Sequence, residues 1–196
     1  MQSKTSRPPV VGLNGCLFKS PIIVVDTETT GFPGSEWSEV VEIGAVLVDR
    51  NGVERDTFEC LIQPVVLDRR IDAALAINHL TREILADMGL PAEDARALFR
   101  QWLCEKKTPF ITAYNVPFDR AMLDRGRYAE GLRWCTCIQK ASRDYLGVSL
   151  RLGGVAERFG VAVAEPAHRA LSDARTAARV MVALRRTELE EVDHGA

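Results

Sequence analysis

Four acidic residues and one histidine are the side chains in this sequence that could do chemistry together. Asp26 and Glu28 are two residues apart at the end of an apolar run, so on a strand both side chains would point to one face. Two carboxylates at that spacing repel each other and lose hydration unless cations neutralise them, and hard divalent ions prefer oxygen ligands. The pair therefore indicates a metal site, although a solvent-facing Asp and Glu in a turn would explain the pair alone equally well.

The other candidate residues lie far along the chain. Asp119 falls in the first turn of a helix that we predict to begin at Pro117, and Asp173 lies early in the last predicted helix. An acid in the first turn is stabilised by the helix dipole, so a capping role accounts for each of these acids taken singly. His168 precedes Asp173 by five residues in a loop, where a lone histidine is most often a surface residue.

The elements that must position these residues begin with a strand at Ile22–Val25. This continuous β-branched run is typical of a buried central strand, and we predict that it ends at Asp26. Asn51 and Gly52 separate two further strand-like runs and predict a hairpin. The strands expected after the first one cover residues 40–48, 53–62 and 109–113.

Helical spacing of apolar residues predicts the remaining elements. Helices are expected within residues 71–88 with Thr81 as an N-cap, at 91–104, from 117 onward, at 150–159 and at about 170–186. A strand meander followed by alternating helices and strands indicates an α/β domain with a mixed sheet. We expect a flexible leader over residues 1–20, one domain over 21–187 and an acidic tail over 188–196.

Composition narrows the class of protein. The chain has 196 residues. Its net charge of −2 and pI near 6.0 show that the protein as a whole has no excess of positive charge that would attract nucleic acid. Its five cysteines form no CxxC pair and predict free thiols in a reducing compartment. The sequence has neither a signal-peptide core nor the ~18 consecutive apolar residues of a membrane span, so a soluble, cytoplasmic protein with no membrane partner is expected.

Three segments occur in an order and at intervals that make the combination specific. They are Asp26-Thr27-Glu28-Thr29-Thr30-Gly31, then Asn115-x-x-Phe118-Asp119, then His168-Arg169-Ala170-Leu171-Ser172-Asp173-Ala174. Together they closely resemble the three motifs of the DEDDh (DnaQ-like) exonuclease superfamily, which includes the proofreading subunit of bacterial replicative DNA polymerase, RNase T and oligoribonuclease. The resemblance covers roughly residues 20–186. Tyr114 departs from it, because many members have histidine there.

This resemblance implies an RNase H-like fold, a mixed five-stranded sheet flanked by helices, and a 3′–5′ exonuclease that uses two Mg²⁺ or Mn²⁺ ions. Asp26 would bridge both ions, Glu28 and Asp173 would complete the site of the attacking water, and Asp119 would hold the second ion. Two divalent ions can stabilise the attacking and leaving oxygens of an in-line displacement. His168 would be the general base, since histidine ordinarily titrates at ~6.5. For His79 a structural or surface role is expected.

The same resemblance points to substrate contacts. Thr29 and Thr30 would lie near the terminal 3′-hydroxyl, and Asn115 belongs to the second motif. Asn78 and Leu80 fall in a loop that packs near the last base in this family, and Asn78 stands where the family often has histidine. The alternative for this loop is that Leu80 is an ordinary core residue and Asn78 a turn residue. The predicted substrate-binding residues are Thr29, Thr30, Asn78, Leu80 and Asn115.

The leading hypothesis is a DNA 3′–5′ exonuclease that acts on single-stranded or frayed 3′ ends and releases nucleoside 5′-monophosphates. It implies nucleic-acid 3′ ends as partners and allows a DNA polymerase partner. An exoribonuclease with the same chemistry is the nearest alternative. A non-catalytic module that binds nucleic acid or a polymerase, and a metal-dependent phosphatase, rank lower. The oligomeric state is left open by the sequence.

Overall fold

The computed structural model describes residues 20–193 and the side chains as far as Thr187. Five strands form one mixed sheet: β1 (Ile22–Thr29), β2 (Val40–Val48), β3 (Glu54–Leu61), β4 (Phe110–Ala113) and β5 (Arg133–Trp134). Their order across the sheet is β3-β2-β1-β4-β5. The first three strands are antiparallel neighbours, whereas β4 and β5 run parallel to β1. The predicted mixed five-stranded sheet and the hairpin at Asn51-Gly52 are confirmed.

Seven α-helices are described in this part of the chain. They are α1 (Asp72–Ile77), α2 (Arg82–Met88), α3 (Ala92–Glu105), α4 (Val116–Arg125), α5 (Ile138–Leu146), α6 (Leu152–Arg158) and α7 (Ala170–Asp193). Helix α5 and the two-residue strand β5 were not predicted from the sequence. The last helix was predicted to end near residue 186, whereas α7 continues to Asp193 into the predicted acidic tail.

The predicted leader lies, apart from Ser20, outside the described residues. None of the described helices has the length and apolar character needed to cross a bilayer, and the cytoplasmic location stays a prediction. No disulfide joins the four cysteines at positions 60, 104, 135 and 137, which are those in the described part of the chain.

Strand β1 is longer than predicted and carries both acidic residues inside it. It continues past Asp26 because its antiparallel pairing with β2 continues, with Asp26 opposite Gly44 and Glu28 opposite Glu42. The prediction that the strand ends at Asp26 was therefore wrong. Carboxylates interrupt the apolar pattern at the end of β1, but the backbone pairing does not stop there.

Each face of the sheet is covered by helices. Alternate side chains of β1 point to opposite faces. Ile22 and Val24 pack with the alanine-rich face of α7, and Ile23 and Val25 pack on the other face against α3 and α4. Asp26 and Glu28 continue the alternation of Ile22 and Val24, which directs them to the face where α7 begins.

Candidate active site

Three carboxylates converge where β1 ends and α7 begins. Asp26 and Glu28 on β1 and Asp173 in the first turn of α7 each offer a carboxylate oxygen, and these oxygens all lie within 4.8 Å of one another. All three residues are partly buried. We call this group the carboxylate cluster. An arrangement of this kind, built from oxygen donors alone, suits a hard divalent cation.

Asp119 lies beside the cluster and reaches it from the other side of β1. It is buried in the first turn of α4, where its Oδ1 accepts a hydrogen bond from Thr27 Oγ1 at 2.9 Å. Among charged neighbours, Asp119 contributes most to raising the pKa of Asp26. The structure thus brings together all four acidic residues that the sequence singled out, with three in the cluster and Asp119 next to Asp26.

Loss of hydration raises the pKa of every acid at the site. Burial is the main cause for Asp26, whose pKa lies well above its usual range, and the charges of Asp119, Glu28 and Asp173 add to the effect. Burial, then the charge of Asp173, raises the pKa of Glu28 to about 8. Burial likewise raises the pKa of Asp119 to about 7, against the lowering effect of its hydrogen bond with Thr27.

The pKa of Asp173 is also raised by burial, and the neighbouring His168 acts in the opposite direction. With its pKa raised to about 8, Glu28 holds a proton at neutral pH when no cation is bound. A divalent ion would displace this proton and balance the charge of the other carboxylates, so the residues present fit the metal site that the sequence predicted.

His168 stands at the rim of the cluster. It is exposed and takes a left-handed backbone conformation, with φ of 58°, two residues before α7. The exposed ring of His79 lies nearby, with its centroid 6.3 Å from that of His168. The expectation of a surface position for His79 agrees with its exposure, but its place beside His168 could not be read from the sequence.

The loop before α2 is tied to the end of β1 by Asn78. Its buried side-chain amide donates a hydrogen bond to the carbonyl of Thr29, with an N···O distance of 3.3 Å. Leu80 is only 4% exposed and packs in a small core with Leu75 and Leu85. The alternative in which Leu80 is a core residue therefore matches its position, and its side chain is not presented to solvent.

The two threonines after Glu28 have hydroxyls that are engaged within the protein. Thr29 Oγ1 donates to the carbonyl of Gly31 at 2.8 Å, and Thr30 Oγ1 accepts from the backbone N–H of Glu39 at 2.8 Å. Asn115, by contrast, is exposed at the start of α4, and its carbonyl accepts the backbone N–H of Asp119 at 3.2 Å. The carbonyl contact fixes the position of Asp119, while the Asn115 side chain faces solvent.

Three residues at the site were not recognised as such in the sequence. Thr27 holds Asp119, and the wholly buried Glu42 on β2 binds the side chain of Arg169. A signal for Glu42 was present, because a single charged residue interrupts the apolar run of β2. Such a residue in a buried strand requires a partner, which the sequence alone does not identify.

Comparison with known proteins places the chain in a family. Residues 23–181 match the RNase T exonuclease family, and the chain belongs to that family. Its members are 3′–5′ exonucleases, and enzymes of the DEDDh type use divalent metal ions. The predicted DEDDh, DnaQ-like relationship is confirmed.

One relative is the "DNA polymerase III subunit epsilon-like protein" of Rhodobacter capsulatus, which is 29% identical over 180 residues. That alignment covers 86% of this chain but 24% of the relative, so the chain spans about a quarter of the relative's length.

Solved structures share the fold. The nuclease domain of 3′hExo, a DEDDh family member bound to rAMP, superposes with a TM-score of 0.71 at 18% identity, covering 86% of this chain and 92% of that one. The E. coli ExoI–ssDNA complex in its zinc-bound form gives a TM-score of 0.68 at 17% identity, covering 89% and 42%. These similarities confirm the predicted RNase H-like fold.

Proposed function

We propose that this chain is a metal-dependent 3′–5′ exonuclease that acts on single-stranded or frayed 3′ ends of DNA and releases nucleoside 5′-monophosphates. The observation that carries the proposal is the convergence of Asp26, Glu28 and Asp173 within 4.8 Å, with Asp119 beside them. The name of the Rhodobacter relative refers to a DNA polymerase, and ExoI was crystallised with single-stranded DNA. Both support DNA as the substrate, and the first supports a polymerase as a partner.

The four acids would hold two Mg²⁺ or Mn²⁺ ions. The charges of the three other acids all act on Asp26, which would serve both ions. Glu28 and Asp173 would complete one site, and Asp119 would serve the other. When bound, the ions would stabilise the negative charge that develops on the oxygens around the scissile phosphorus. The pKa values of these acids are raised because their negative charges are buried together. Bound cations would neutralise these charges and stabilise the ionised carboxylates.

His168 would accept the proton of the attacking water. Its imidazole is exposed at the rim of the cluster, where water and a phosphodiester can both reach it. Burial raises the pKa of Asp173 and His168 acts to lower it, so this histidine lies next to the carboxylate cluster.

The end of β1 and the start of α4 would bind the terminal nucleotide. Thr29 and Thr30 would do so through the turn that their hydroxyls stabilise, and Asn115 through its exposed side chain. Asn78 would hold the neighbouring loop in place through the Thr29 carbonyl. Leu80 would support that loop from below instead of stacking on a base.

A matched pair of oligomers tests the proposal. DNA and RNA of one sequence, labelled at the 5′ end, are incubated with Mg²⁺, Mn²⁺ or chelator, with Asp26→Asn as the inactive control. We expect a metal-dependent ladder from the 3′ end of DNA, and nucleoside 5′-monophosphates as products.

The other outcomes identify the alternatives. Preference for RNA would support an exoribonuclease, a function favoured by the rAMP bound to 3′hExo. Oligomers that are bound but remain intact would indicate a non-catalytic module. Release of inorganic phosphate from monophosphates without a ladder would indicate a phosphatase.

A further inference from the structure

We propose that Glu42 and Arg169 form a positioning pair, which holds His168 and the first turn of α7 over the carboxylate cluster. The expected effect of this pair on catalysis rests on the proposed exonuclease function. The two charged groups bind each other, and their charges act in opposite directions on the pKa of Glu28. Their effect on the reaction would pass through His168.

The contact between the two side chains is bidentate and largely shielded from water. Arg169 Nε lies 3.0 Å from both carboxylate oxygens of Glu42, and its Nη2 lies 2.7 Å from Oε1. The Glu42 side chain is wholly buried, whereas that of Arg169 is 27% exposed and also approaches Glu59 at 3.6 Å. An arginine fork on a carboxylate fixes orientation as well as distance, which a lysine cannot do.

The pair also fixes the backbone at the start of α7. The N–H of Ala170 donates to Glu42 Oε2 at 3.3 Å, and the carbonyl of Arg169 accepts the N–H of Asp173 at 2.9 Å. Arg169 therefore connects β2, an interior strand of the sheet, to Asp173 in the carboxylate cluster. His168 directly precedes Arg169, so the contact between Glu42 and Arg169 also restrains the left-handed backbone of His168.

A second, independent feature shows how closely α7 approaches β2 here. Gly44 is two residues after Glu42 on β2, and a Cβ at Gly44 would lie 2.1 Å from the backbone nitrogen of Leu171. Only glycine permits this approach. The start of α7 thus lies directly on β2, where the Glu42 side chain accepts hydrogen bonds from Arg169 and Ala170.

Two double variants separate positioning from general stability. Glu42→Gln/Arg169→Gln removes both charges together and avoids leaving one buried charge alone. Glu54→Gln/Arg175→Gln is the matched control, since this pair also joins a strand to α7, at 3.0 Å, but lies at the surface. Circular dichroism checks that both variants are folded. Arg169→Lys tests whether charge without the fork is sufficient.

We expect the Glu42/Arg169 double variant to lose about 10–100-fold in kcat with KM nearly unchanged, because misplacing a catalytic group by about 1 Å has costs of this size. Arg169→Lys should remain impaired, and the control should match the wild type. In a His168→Ala background the double variant should cause little further loss, because the group it positions is gone. Full activity of the double variant, or an equal loss in both backgrounds, would overturn the inference.

A measurement that needs no catalysis keeps the two proposals distinguishable. The chain has three histidines, and the imidazole NMR signals of His168 can be assigned from their loss in His168→Ala. The Glu42/Arg169 variant should shift or broaden these signals, and the control should not. An unchanged His168 signal would refute positioning. If the wild type leaves all oligomers intact, the proposed exonuclease function fails while this spectrum still decides the role of the pair.

Discussion

Replacing Glu28 by glutamine should stabilise the metal-free protein while destroying its metal site. Burial and the neighbouring carboxylates raise the pKa of Glu28 from 4.5 to about 8. A group whose pKa is higher in the folded than in the unfolded state favours folding at low pH, and this contribution is lost as the pH rises through the interval from 4.5 to about 8. Glutamine resembles the protonated acid, so it removes this dependence on pH.

The expected size follows from the same pKa. At pH 7 the solution lies about 2.5 pH units above the ordinary pKa of glutamate, and each unit corresponds to about 1.4 kcal/mol, which sets a limit of about 3.5 kcal/mol. Glu28 retains some contact with solvent and titrates together with its neighbours. We therefore expect Glu28→Gln to raise the free energy of unfolding by about 1–3 kcal/mol at pH 7 in chelator.

Denaturant unfolding in chelator at pH 5, 7 and 8 measures this difference. The gain of Glu28→Gln over wild type should grow from pH 5 to pH 8, whereas Glu157→Gln, at an exposed position on α6, should stay close to wild type. Added Mn²⁺ should offset most of this difference at pH 7, since wild type gains about 2.7 kcal/mol when the ion is present at 100 times its Kd. Equal stability of Glu28→Gln and wild type at pH 8 in chelator would refute the reasoning on the cluster.

Three further substitutions test individual roles. Asp173→Asn should abolish nucleotide release and the stabilisation by Mn²⁺, which a thermal shift assay measures; persistent stabilisation would remove Asp173 from the metal site. His168→Ala should lower kcat by roughly 10²–10⁴-fold at neutral pH while the Mn²⁺-induced shift stays as in wild type. Near-normal kcat would count against His168 as the base. Leu80→Ala should lower the free energy of unfolding by about 2–5 kcal/mol with little change in KM, because Leu80 lies in a core. A stable variant with a much higher KM would instead show that Leu80 contacts the substrate.

Local patterns in the sequence were sufficient for most of the elements. The strand β2 and the hairpin that follows it were predicted from an apolar run and from Asn51-Gly52, whose preferences act over a few residues. Thr81 does cap α2, as predicted, by accepting a hydrogen bond from the N–H of Ile84. The end of β1 was misplaced at Asp26, because the strand continues through pairing with β2 and not through its own apolar pattern.

By itself, then, the sequence determined the family, the fold class and the set of acidic residues, because motif order and local periodicity are properties of the chain. Only the tertiary structure decided that Asp26, Glu28 and Asp173 meet within 4.8 Å, that Thr27 binds Asp119 and that Glu42 is paired with Arg169. The physical reason is that these contacts join residues many positions apart. Their distances follow from how α4 and α7 pack on the two faces of the sheet, which no local pattern encodes.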